Sequence, residues 1–358
     1  IGLGLGGILW TLSLVRPLFM GLGDDDVGDG LSRAEEPLLF AFAERLADKV
    51  GCPRPQIIRL SLEVNASAYY ETSMFGLRRR AFTLTLGLPL VRGMTLCQLA
   101  GVMAHEFGHF GQRGSSFLDR FIKRINRWFA HAVTGRDMLD QLIELLTSDG
   151  GHYVATLVAV VLHVLAGLGR YFLLALTYVG LFASASLLRR MEFDADGYEV
   201  GVIGSAEFAA SCKRLMALAI AHETAFKYAF QTQQFRILPS NLVAFTAELA
   251  DRSPRVKKRA RKLVENEQRS WLASHPPVRD RIAAAEKLNL PGVLKSPLPG
   301  TVLFKSCDLR STVLTAMLYE QRYGKNLTRD SIRAVSEAVD AYLDLSEANR
   351  HELVTGAR

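Results

Sequence analysis

The chain of 358 residues has only four cysteines, Cys52, Cys97, Cys212 and Cys307, and none forms a Cys-x-x-Cys pair with another. That scarcity excludes a disulfide framework and a cysteine-built metal site. Free thiols are expected instead, with the soluble part facing a reducing compartment. Internal repeats and low-complexity tracts are missing too, which excludes a repeat array. So are a zinc knuckle and an RNA-binding aromatic signature. Without such a motif the net charge of +7 does not point to nucleic acid. A basic balance suits an anionic membrane surface equally well. The chain opens on Ile1 rather than Met and so reads as part of a longer one, with room upstream for a further apolar or targeting segment.

What is present is apolar. Hydrophobic residues make up 49% of the chain, and the mean hydropathy is +0.12, where a soluble enzyme usually falls below zero. The apolar residues stand in blocks. Residues 1–20 are apolar apart from Arg16, and read either as a membrane segment or as a buried terminal helix. A Gly/Asp-rich linker follows at 21–30. Helical periodicity marks 31–50, with Leu38, Leu39, Phe42, Leu46 and Val50 on one side. Strands are expected at 57–70 and 81–86, separated by a polar turn at Arg78, Arg79 and Arg80.

An unusually apolar helix is expected over 95–110. A basic amphipathic pattern at 117–129 fits a helix in the membrane interface or a plain surface helix. Two apolar runs, 153–169 and 171–188, read as a transmembrane hairpin whose tip holds Gly167, Gly169 and Arg170, or else as a buried helix pair. The basic run at 252–262 reads first as a solvated helix face and second as a contact with anionic lipid. The expected fold is mainly α with a small β-sheet. Its parts are a sheet and motif helix in 31–150, the hairpin in 151–188, a second ligand helix in 189–290 and a helical extension in 291–358.

The chemistry centres on His105-Glu106-Phe107-Gly108-His109. Residues four apart on a helix share a face, so both imidazoles can bind one Zn²⁺ at about 2.0–2.1 Å. Glu106 projects beside the metal and can act as the general base on its water. Catalytic zinc takes a third protein ligand. Glu192 is the candidate, since Glu192 and Asp196 repeat the four-residue spacing on a later helix. Glu192 then binds the metal, and Asp196 accepts a hydrogen bond from a ligand imidazole. Asp194 points elsewhere. Glu192 follows His109 by 83 positions, and an even number of membrane crossings between them returns it to the metal.

At these residues the sequence resembles the membrane gluzincins, the zinc metalloproteases that include the CAAX prenyl endopeptidases and the HtpX-like heat-shock proteases. The resemblance rests on Ala104-His105-Glu106-Phe107-Gly108-His109 and on Glu192-x-x-x-Asp196 after Arg189. It extends to Asn65-Ala66-Ser67-Ala68 and to His275-Pro276-Pro277 with Arg281. It implies a zincin-type zinc endopeptidase with one zinc per chain, a multi-pass cell-membrane protein whose active site faces the cytoplasm.

The resemblance also makes Asn65, Ala66, Ser67 and Ala68 an edge strand that pairs with an extended peptide. Ser67 departs from the family's usual Phe there. His275 is implied as an oxyanion donor or an extra zinc ligand, against the alternative of a helix cap. Arg281 is implied as the partner of a carboxylate near the site or as a surface residue, and Arg189 as the holder of Asp196 or of the ligand helix. The partners so implied are a polypeptide substrate and membrane lipid. The rival readings are a non-catalytic zinc-binding membrane scaffold and a soluble metalloprotease whose apolar runs are core.

Overall fold

The computed structural model describes residues 30–72, 79–111, 144, 153–231, 238–266, 276–324 and 331–344. The expected segments at 1–20 and 117–129, and His275, lie outside these residues.

Helix α1, Pro37–Val50, starts on a proline, whose missing N–H costs nothing in the first turn. It stops at Gly51, which takes the left-handed conformation (φ 82°) and donates its N–H to Ala47 O. Its inward residues are Leu39, Phe40, Ala43, Leu46, Ala47 and Val50; Leu38, expected on the inner side, is exposed.

Three strands follow: β1, Ile57–Ser61, β2, Ala66–Thr72, and β3, Arg79–Gly87. The sheet order is β1-β3-β2, with β1 parallel and β2 antiparallel to β3. The single strand expected at 57–70 is therefore two, and Arg79 and Arg80 open β3 instead of sitting in a turn. The break falls at 62–65, where the chain doubles back over Gly87. Gly87 donates its N–H to Asn65 O at 2.8 Å.

Helix α2, Leu88–Gly93, leads into α3, Leu96–Gly111, the motif helix. Helix α4, Tyr153–Ile203, is 51 residues long and unbroken. The hairpin turn expected at 167–170 is absent: the backbone stays helical through Gly167, Gly169 and Arg170. A glycine in a helix costs about 1 kcal/mol. The Leu- and Ala-rich flanks offset that cost, and no proline or paired turn residue ends the run. The first part of α4 exposes Leu157, Val161, Val164, Leu168, Phe172, Val179 and Phe182. Its stretch Gly167–Ile203 is the one among the described residues long and apolar enough to cross a membrane.

The remaining elements are α5, Ser205–Gln231, β4, Leu238–Pro239, α6, Leu242–Arg252, α7, Pro254–Asn266, and α8, Val278–Leu288. They end in a 3₁₀ turn, Gly300–Leu303, α9, Cys307–Tyr323, β5, Ile332–Arg333, and α10, Val335–Asp344. The fold is thus mainly helical with small sheets, as expected. Helix α7 buries only Val256, Ala260 and Val264, and turns Lys257, Lys258, Arg261 and Lys262 to solvent. Leu303, Tyr319, Val339 and Tyr342 join the core that holds Leu39, Phe82 and Phe107. The described residues of α9 and α10 are therefore integral to the fold. All four cysteines are free.

Gly87 has an extended backbone that any residue can adopt (φ −71°, ψ 121°). Its side-chain space is closed, however. A Cβ there would stand 1.9 Å from Glu63 O and 2.7 Å from Asn65 O, both backbone atoms. Gly87→Ala is expected to destabilise the protein by about 3 kcal/mol, at the upper end of ordinary overpacking. A denaturant midpoint for the detergent-purified variant equal to the wild type's would contradict this.

Candidate metal centre

Two helix faces meet at the motif. On α3, Gly101, His105 and Gly108 fall at i, i+4 and i+7, one stripe of the helix. On α4, Glu192, Asp196 and Glu199 repeat the same spacing. The glycines let the helices close. A Cβ at Gly101 would stand 2.6 Å from Ile203 Cδ1, and one at Gly108 would stand 2.9 Å from Tyr198 Cδ2. The polar side chains of the two stripes are thereby pressed together.

Glu192 spans the two imidazoles. Its Oε2 lies 3.7 Å from His105 Nε2, and its Oε1 lies 3.7 Å from His109 Nε2. The rings stand at right angles with centroids 4.9 Å apart. These separations are too long for hydrogen bonds. They are close to the roughly 3.3 Å between donors of a tetrahedral ion bound at about 2.0–2.1 Å. Two imidazoles and a carboxylate are also a donor set that zinc takes. The residues present therefore fit a metal ion.

Behind the imidazoles lies a charged support. Asp196 Oδ1 stands 3.1 Å from His105 Nδ1. Arg281, brought in by α8, grips the same carboxylate: Nε donates to Oδ2 at 2.9 Å and Nη2 to Oδ1 at 2.5 Å. Such a two-pronged pair fixes geometry as well as charge.

Burial works against a charged His105. The hydrogen bond with Asp196 and the charges of Glu106 and Asp196 outweigh that and, despite Arg281, raise the imidazole to about 9. Burial also opposes the charge of Asp196, yet Arg281 and His105 hold its carboxyl below the usual range. Burial pushes Glu199 up to about 7, partly countered by His105. The site holds more acid than base and attracts a cation. Below about pH 9, a metal arriving at His105 must displace a proton.

Most of the expected residues converge here. His105, His109, Glu192, Asp196 and Arg281 share the centre, and Glu106 is close enough for its charge to act on His105. Asp194 is exposed, as expected. Arg189 is half-buried on the same helix, and the guanidinium that engages both oxygens of Asp196 is that of Arg281. The spacing of a short motif favours a partner on the same helix, but here the partner comes from 85 residues away.

Asn65 lies just ahead of β2, and Ala66, Ser67 and Ala68 begin that edge strand. The sheet rests on the motif helix through rings. Tyr70 and Phe82 lie 6.0 Å and 4.9 Å from Phe110, and Phe82 lies 6.3 Å from Phe107. The sequence reading missed Gly101 and Glu199, although Glu199 extends the spacing of Glu192 and Asp196 by one more turn.

Asp196 is 3% exposed. Removing its guanidinium leaves the buried carboxylate with only the imidazole of His105 beside it, a change that costs up to about 3 kcal/mol. Arg281→Leu is therefore expected to lower the melting temperature of the metal-free protein sharply, and Arg281→Leu with Asp196→Leu less so. A single variant melting with the wild type would contradict the pairing.

The model of peptidase family M48 matches residues 34–289. The chain is also similar to a Protease HtpX homolog from Desulfotalea psychrophila (strain LSv54 / DSM 12343), with 27% identity over 305 residues, which cover 80% of this chain and 85% of that protein. The family match takes in the sheet, the motif helix, the acidic stripe of α4 and Arg281, so the chain belongs to peptidase family M48.

Proposed function

We propose that this protease is a zinc endopeptidase acting on membrane-associated or misfolded proteins, with His105, His109 and Glu192 as its metal ligands. The convergence of three donor atoms on one point between α3 and α4 carries the reading. Zinc, when bound, lowers the pKa of a coordinated water toward about 7 and polarises the scissile carbonyl.

The chain's own residues do the rest. Glu106 takes the proton of the attacking water and returns it to the leaving amine. Asp196 orients His105 through Nδ1, and Arg281 fixes Asp196. The Asn65–Ala68 stretch at the sheet edge lays an extended peptide beside the metal by strand addition. His275, six residues before Arg281, is the proposed donor to the oxyanion or an extra metal ligand, as the resemblance implies.

The apolar surface of α4 supports a membrane location. Exposed Leu, Val and Phe on several sides of one helix suit lipid rather than water. In this reading the exposed apolar side chains of the first part of α4 contact lipid, and its later turns hold Glu192, Asp196 and Glu199 at the membrane surface; with the hairpin gone, α4 by itself does not supply the even number of crossings expected. The multi-pass topology that the family resemblance implies belongs to the same reading. The free thiols suit a cytoplasmic site.

Glu106→Gln is expected to keep zinc and lose casein cleavage by about 10²–10⁴-fold. His105→Ala is expected to lose the metal itself, read by elemental analysis. Wild-type cleavage by purified Glu106→Gln would remove Glu106 from its role.

A further inference from the structure

One buried acid at the centre has no part in the chemistry above. Glu199 sits on α4 one turn beyond Asp196 and is 4% exposed. Its Oε2 stands 3.9 Å from His105 Nδ1. Its Oε1 accepts a hydrogen bond from Ser211 Oγ, on α5, at 3.3 Å. Gly101, one turn before His105 on α3, leaves the room: a Cβ there would stand 2.9 Å from Oε1 and 3.2 Å from Cγ. Three helices thus shape a slot for this carboxyl. Burying a charge without a use for it is costly, and an apolar residue would fill the same slot more cheaply.

Asp196 leaves a task open. Arg281 engages both of its oxygens, so the oxygen facing His105 is shared with a guanidinium. Positive charge drawn onto Asp196 weakens its hold on the imidazole. A ligand histidine that binds metal through Nε2 keeps its proton on Nδ1, and an acid behind that proton raises the basicity of the ligand. Here two acids stand behind it.

We propose that Glu199 is a second positioning carboxylate behind His105, anchored by Ser211 and admitted by Gly101, which strengthens the hold of His105 on the metal. At 3.9 Å in a buried site, the attraction between a carboxylate and an imidazole ring carrying metal charge is not screened away by water. The inference rests on the zinc reading of this centre.

The test is the rate at which the full-length, detergent-purified holoprotein releases zinc to a coloured chelator, measured beside the melting temperature of the metal-free form. Glu199→Gln keeps the volume and the Ser211 contact but removes the charge. It is expected to release zinc about 10-fold faster, with the metal-free protein melting no lower than the wild type. Glu199→Asp should recover part of the loss, and Ser211→Ala should shift release in the same direction by a smaller factor.

Wild-type release rates in both Glu199→Gln and Ser211→Ala would overturn the proposal. A lowered melting temperature beside unchanged release would reduce Glu199 to a packing residue. Should Glu199→Gln fail to fold, Ser211→Ala decides alone. A wild type that takes up no zinc would sink the zinc reading and this inference with it, whereas zinc held equally by wild type and variants sinks the inference only.

Discussion

The approach of α3 to α4 sets every distance at the metal centre. Gly101 and Gly108 remove the side chains that would hold the helices apart, so His105 and His109 are pressed toward Glu192, Asp196 and Glu199. Closing that gap buries acids and imidazoles together, which is unfavourable unless the charges are matched. Arg281 matches part of the acid. The acid left over could be matched by a metal ion, and the raised pKa of His105 expresses the same deficit as an appetite for a proton. Packing and metal affinity are in this sense one constraint.

The rest of the fold supports that contact. The sheet rests on α3 through Tyr70, Phe82, Phe107 and Phe110, which packs the edge strand beside the motif helix. Helix α5 backs α4 through Ser211, and α8 delivers Arg281 across it. Even the last helices share the core. The apolar part of α4 is the exception: among the described residues its side chains stay largely exposed.

Local patterns in the sequence exposed the centre better than they exposed the architecture. The four-residue spacings of His105 with His109 and of Glu192 with Asp196 are properties of a helix face, readable without a third dimension. Arg281 was only half readable: its residue type suggested a carboxylate partner, but which carboxylate depends on how α8 crosses α4. The hairpin misled because two glycines beside an arginine look like a turn, whereas the surrounding Leu and Ala keep the helix running. Glu199 was within reach of the same face-counting that found Asp196, yet its meaning depends on Gly101 and Ser211, on two other helices.

The central claim is that one zinc ion sits between His105, His109 and Glu192. Zinc K-edge X-ray absorption on the purified full chain, with metal content measured in parallel, tests it most directly. The account predicts one zinc per chain bound only by nitrogen and oxygen, two of the nitrogens from imidazoles, and loss of that metal in Glu192→Ala. A spectrum showing sulfur ligands, or full zinc occupancy retained in Glu192→Ala, would contradict it.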